Sequence, residues 1–84
     1  MNITFTKNGW EDYQHWIAAD RKIFAKINRL IGEITRNPFE GIGKPEPLRA
    51  DRSGYWSRRI SDEHRLVYSV AGETITIVQA RYHY

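Results

Sequence analysis

Apolar and polar residues alternate with different rhythms along this chain. Ile3 to Phe5 is a short apolar-rich run that predicts a strand, and Thr6 or Asn8 behind it can cap a helix. Trp10, Tyr13 and Ile17 then recur at the spacing of one helical face, and Trp10, Tyr13 and Trp16 are expected to pack in the core. Asp20 is placed to cap a second helix. In it Ile23, Phe24, Ile27, Leu30, Ile31 and Ile34 line one side, and Lys22, Lys26, Arg29 and Glu33 mark the other. This is the strongest periodic signal in the sequence. Asn37-Pro38 ends it, because a proline ring clashes with a helical predecessor.

From Asn37 to Pro47 the chain carries three prolines and two glycines, which predicts an ordered but irregular loop. Three β-rich runs follow: Tyr55 to Ile60, Arg65 to Val70, and Thr74 to Ala80. Ser61-Asp62-Glu63 and Ala71-Gly72-Glu73 supply the turns between them. Alternation in the middle run sends Leu66, Tyr68 and Val70 to the core and Arg65 to the opposite face. The order β-α-α-β-β-β predicts a single α+β domain over residues 1–84. Its two N-terminal helices pack on one face of a small, mostly antiparallel sheet. No repeat or linker interrupts it.

At 84 residues, with 40% hydrophobic and 27% charged positions, the chain suits one small folded domain. Such a domain has little room for a deep cofactor cavity, so a site belongs in a shallow groove. The sequence has no cysteine, which excludes disulfides, thiolate nucleophiles and cysteine-based zinc sites. The histidines at 15, 64 and 83 lack metal-ligand spacing, so neither a metal nor a cofactor is expected. The longest apolar run, Trp16 to Ala19, is far short of the roughly 20 residues of a membrane span. With no signal-peptide pattern at the N-terminus, no membrane association is expected, and the cytoplasm is the expected compartment.

The net charge of +3 has an address. Arg49, Arg52, Arg58 and Arg59 stand against Asp51 alone within residues 49–59, while the rest of the chain is balanced. An all-arginine excess fits phosphate oxygens, which a planar donor fork can meet in pairs. Tyr55 and Trp56 beside Arg58-Arg59, and Tyr82 and Tyr84 around His83, could stack exposed bases. Trp56 could equally cap a sheet edge.

Three residues carry candidate chemistry. Glu46, between Pro45 and Pro47, sits on a stiff segment that can aim a carboxylate, although a Pro-Glu-Pro stretch can also be a plain solvated spacer. His83 is the side chain suited to proton exchange near neutrality. Arg65 could neutralise growing phosphate charge or pair with Glu63 on the surface. Together they make a base, an acid and a permanent cation. That set suffices for RNA cleavage without a metal: the 2′-oxygen attacks the neighbouring phosphorus and the 5′-oxygen leaves. DNA lacks that nucleophile.

Several stretches carry a resemblance to a known family. They are Asn37-Pro38-Phe39-Glu40-Gly41, Gly43 to Leu48, Ser53 to Ile60, His64 to Tyr68, and Arg81-Tyr82-His83-Tyr84. The sequence resembles YoeB-type toxins of the RelE superfamily over essentially its whole length. The resemblance implies the small RelE-like fold and the toxin of a type II toxin–antitoxin pair, an endoribonuclease cutting mRNA in the ribosomal 30S A site. It assigns Glu46 as general base, His83 as general acid and Arg65 as the transition-state cation. Arg59 matches a phosphate-contacting position and Tyr84 a terminal tyrosine that arranges the substrate. Arg49 stands where relatives can carry lysine. Implied partners are a YefM-like antitoxin, operator DNA bound with it, and a second copy in a homodimer. The residues alone leave two other readings open: a non-catalytic RNA- or ribosome-binding module, and a co-repressor acting only with its antitoxin.

Overall fold

The structure, a computed structural model, describes residues 1–83. Strand β1 (Asn2–Phe5) leads into α1 (Lys7–Ala19) and α2 (Arg21–Arg36), followed by β2 (Glu46–Pro47), β3 (Tyr55–Arg59), β4 (Arg65–Ala71) and β5 (Thr74–Gln79). The sheet order is β1-β5-β4-β3-β2, with β1 parallel to β5 and every other pair antiparallel. Both helices were legible from their caps. Thr6 Oγ1 accepts from the Gly9 amide at 3.1 Å and starts α1. Asp20 does two jobs: its own N–H closes α1 on Trp16 O, and its carboxylate accepts from the amides of Lys22 and Ile23 to open α2.

The periodic face of α2 lies on the sheet as expected. Ile27, Leu30 and Ile34 are fully buried against Leu66 and Tyr68 of β4 and Ile75 and Ile77 of β5. Cross-strand partners share a face, so Ile3 and Phe5 fall in register with Ile75 and Ile77 on the same helix-covered side. The stripe expected on α1 needs correction. Trp10 and Ile17 are 45% and 44% exposed, while Trp16 is buried as expected. Gly9 explains the rotation, because a Cβ there would collide with the Ile77 carbonyl. The helix therefore meets β5 and the residue after it through Gly9 on Ile77 and Trp16 on Ala80. Tyr13 packs between Phe5 and Phe24, with Trp10 stacked on it.

The proline-rich loop also holds a surprise. Within the span expected to be irregular, Glu46 and Pro47 form a short edge strand opposite Ser57 and Trp56 of β3. Pro47 is tolerated there because an edge strand can lack one ladder donor. Gly43 steers the chain into this strand with φ +83°, and a Cβ on it would meet Leu30 Cδ2 at 2.9 Å and Arg58 Cβ at 3.1 Å.

Candidate active site

The face of the sheet turned away from the helices carries the candidate chemistry. Alternation along β3 puts Ser57 and Arg59 on that face, with Trp56 and Arg58 on the helix side. Register then aligns the neighbours: Glu46 opposite Ser57, Ser57 opposite Val67, and Arg59 opposite Arg65. The β2–β3–β4 ladder thus gathers a carboxylate and two arginines from positions spread over twenty residues of sequence. A cleft of about 220 Å³ is lined by Lys44, Glu46, Ser57, Arg59, Arg65 and His83. That volume is below the roughly 300–1,000 Å³ of sites for drug-sized ligands and suits a group such as a phosphodiester. Three permanent cations face one carboxylate, so the cleft favours an anion.

Arg65 is held before any ligand arrives. It is only 9% exposed, and its Nη1 donates to the carbonyls of Ser61, Asp62 and His64 at 2.6, 3.3 and 3.1 Å. The ion pair with Glu63 weighed from sequence is not what orients it. Carbonyl anchoring fixes the plane of the guanidinium without neutralising its charge, which is the form of a preorganised cation. His83 arrives from the chain beyond β5. Ala80 is fixed to α1 through Asp12 Oδ2 and Trp16 Nε1, and Tyr82 O accepts from the Arg65 amide at 2.9 Å.

Four of the expected site residues, Glu46, Arg59, Arg65 and His83, share the cleft. Arg49 does not line it; exposed, it precedes the short 3₁₀ turn Ala50–Arg52 that follows β2. Tyr84 lies outside the described residues. Lys44 and Ser57 also line the cleft and were not singled out. A signal for Ser57 lies in the alternation of β3, two residues before Arg59, whereas Lys44 sits in the loop before β2 with φ +50° and carries none.

The arginine patch is smaller than the charge count implied. Arg58 is fully buried on the helix side. Its guanidinium donates to Ile42 O, Asn37 O and Glu40 O at 3.1, 2.7 and 2.9 Å, and through Nε to Tyr68 Oη at 3.2 Å. It clamps the loop leading to Gly43, and Arg49, Arg52 and Arg59 remain exposed. Trp56 is half-buried, 4.9 Å from the Phe39 ring, and packs against the core. Paired with Pro47 of the edge strand β2 and covered by Phe39, it fits the reading of a cap at the sheet edge. Tyr82 is 57% exposed, with the Arg81 guanidinium 4.5 Å from its ring centre.

Among the described residues no group of three or more His, Asp or Glu is arranged to hold a metal ion, and no helix is long and apolar enough to cross a membrane.

Comparison with known proteins gives a consistent result. A family model described as a YoeB-like toxin of bacterial type II toxin–antitoxin systems matches residues 5–84. The "Toxin YoeB" of Streptomyces coelicolor is 64% identical over 84 residues, covering 100% of both chains. Among solved structures, a YoeB/ParE toxin from Agrobacterium tumefaciens superposes with a TM-score of 0.97 at 48% identity, covering 100% of each chain. From Staphylococcus aureus, a YoeB dimer has a TM-score of 0.92 at 49% identity, and YoeB in a YoeB–YefM complex 0.91 at 48%. In both cases 100% of this chain and 98% of the other are covered. YafQ from Escherichia coli, at 16% identity and a TM-score of 0.79, shares the fold.

Proposed function

The chain belongs to the YoeB-like toxins of bacterial type II toxin–antitoxin systems, and from that membership we propose that it is an endoribonuclease cutting mRNA in the ribosomal A site. One observation carries the reading: Glu46, Arg65 and His83 line a single cleft together with Lys44 and Arg59. Those are the base, cation and acid of a 2′-hydroxyl attack, set in a cationic groove of phosphate size.

In this reaction the Glu46 carboxylate takes the proton of a ribose 2′-hydroxyl. The 2′-oxygen forms a bond to the adjacent phosphorus. Negative charge grows on the non-bridging oxygens and is met by the anchored Arg65 guanidinium, with Arg59 and Lys44 beside it. Protonated His83 gives its proton to the 5′-oxygen as the bond from phosphorus to that oxygen breaks. The products are a 2′,3′-cyclic phosphate and a 5′-hydroxyl end. Arg49, beyond the cleft, contacts a flanking phosphate, and Tyr84 arranges the substrate.

The partners follow the same reading. The domain pairs with a YefM-like antitoxin, in the manner of the S. aureus complex, and the pair binds operator DNA. In isolation it forms a homodimer, as the S. aureus YoeB does. A ribosomal target makes the cytoplasm its place of action.

The test is cleavage of a defined message on programmed ribosomes with end-group mapping. Cyclic phosphate and 5′-hydroxyl ends are expected, and a 2′-deoxy residue at the cut site should abolish them. Undiminished cutting by a Glu46→Ala, His83→Ala double variant would show the mechanism to be wrong.

A further inference from the structure

The segment that brings His83 to the cleft is short, and each of its turns is fastened. β5 ends at Gln79, four residues before His83. Ala80 is fully buried, its amide on Asp12 Oδ2 at 3.0 Å and its carbonyl on Trp16 Nε1 at 2.8 Å. Tyr82 adopts φ +65°, a left-handed conformation that residues other than glycine rarely take. Such a conformation persists where the surroundings over-determine it. Two short bonds do so here. The Tyr82 amide donates to His64 Nδ1 at 2.7 Å, and its carbonyl accepts from the Arg65 amide at 2.9 Å.

His64 is itself seated from two sides. Its ring stands edge-on to Trp16 of α1 with 4.8 Å between centroids, and its backbone amide donates to Ser61 Oγ at 3.2 Å. To accept from Tyr82, Nδ1 must carry a lone pair, so the amide donor assigns the neutral Nε2–H tautomer. His64 is not among the residues that line the cleft. The turn from Ser61 to Arg65 thus performs two alignments. Its carbonyls orient the Arg65 guanidinium, and His64 Nδ1 with the Arg65 amide orients the backbone one residue before His83.

We propose that His64 is a positioning residue: its Nδ1 lone pair clamps the Tyr82 amide, holding the left-handed turn from which the His83 imidazole enters the cleft in register with Arg65. The role rests on His83 acting as the general acid. An aromatic ring that only filled space against Trp16 would need no acceptor at this atom, so the acceptor is the feature to test.

His64→Phe keeps a ring against Trp16 and removes the acceptor. His64→Asn places a carbonyl oxygen near the position of Nδ1 and retains it. Each full-length variant is assayed for cleavage on programmed ribosomes and by the amide resonance of Tyr82 in ¹H–¹⁵N spectra. The Phe variant should lose roughly 10- to 100-fold in kcat, the scale of a misplaced catalytic group. Its KM should stay within about twofold, because uniform substrate binding is untouched. The Tyr82 amide resonance should move, and the Asn variant should recover both properties. An undiminished kcat in the Phe variant, or an Asn variant as impaired as the Phe one, would overturn the role. If the Phe variant does not fold, the imidazole ¹⁵N shifts of the unmodified chain decide, since a protonated Nδ1 at neutral pH excludes the clamp. A lack of cleavage by the unmodified chain would overturn the proposed function together with this role. Cleavage by that chain with no deficit in the Phe variant would overturn the role alone.

Discussion

Arg59 and Arg65 face each other across β3 and β4 as a non-hydrogen-bonded pair. Their amides point outward, to Gly43 O at 2.6 Å and Tyr82 O at 2.9 Å, and not toward one another. Side chains in such pairs approach closely, and like charges there are unfavourable without a counter-ion. A bound phosphate would supply one. Arg59→Gln should therefore weaken association with RNA or ribosomes and lower the slope of log affinity against log salt by about 1. A titration series over salt concentration measures this, and an unchanged slope would remove Arg59 from phosphate contact.

Glu46 lines the cleft without contributing to the core. It is exposed on a two-residue edge strand, and its neighbours Pro45 and Pro47 keep the backbone stiff whatever the side chain. Glu46→Gln should leave thermal unfolding nearly unchanged and reduce kcat by about 10²–10⁴, the usual range for a general base. A large fall in unfolding temperature would mean that the carboxylate is structural.

Much of this arrangement could be read from residue order because its signals are local. Caps at Thr6 and Asp20, the long apolar face of α2 and the alternation in β4 each depend on neighbours within a few positions. The exposure of Trp10 does not, since Gly9 against Ile77 sets the roll of α1 and joins residues far apart in the chain. The strand at Glu46 is similarly invisible: two residues between prolines carry no periodicity, and only pairing with Ser57 and Trp56 defines it. The motifs pick out the candidate residues of the cleft, while the turn that unites Arg65 with the His83 segment is a tertiary contact. Arg58 shows the limit of counting charge, because one position of alternation separates an arginine that lines the cleft from a buried one.

Arg58 should prove a stability determinant with an indirect effect on activity. Its donors satisfy three loop carbonyls, and that loop ends at Gly43, whose carbonyl holds the Arg59 amide. A methionine would fill part of the space and leave those acceptors without their donor. Arg58→Met should destabilise the fold by about 2–4 kcal/mol, the scale of three part-buried acceptors at about 1 kcal/mol each. Arg58→Lys should recover little of this, because an ammonium lacks the planar fork that spans three carbonyls. Urea unfolding of the three proteins measures both effects. Wild-type stability in the lysine variant would mean that the charge, and not the fork, holds the loop.

Tyr68 gives the fold an alkaline limit. Its phenol donates to Pro38 O at 2.6 Å and accepts from Arg58 Nε at 3.2 Å in the buried core. Burial raises its pKa above the ordinary phenol value, opposed in part by the Arg58 hydrogen bond and charge. In the unfolded chain the phenol loses its proton near about pH 10. The folded chain keeps that proton to higher pH and so binds more protons across the interval. Stability from this group is therefore complete below about pH 10 and declines as pH rises toward the folded pKa. Tyr68→Phe removes the titration along with two hydrogen bonds. Near neutral pH it should be less stable than the unmodified chain by about 1–3 kcal/mol, and that deficit should shrink above about pH 10. Unfolding free energies of both proteins, followed from neutral into alkaline solution, give the difference directly. A deficit that stays constant with pH would show that the Tyr68 phenol ionises alike in the folded and unfolded chain.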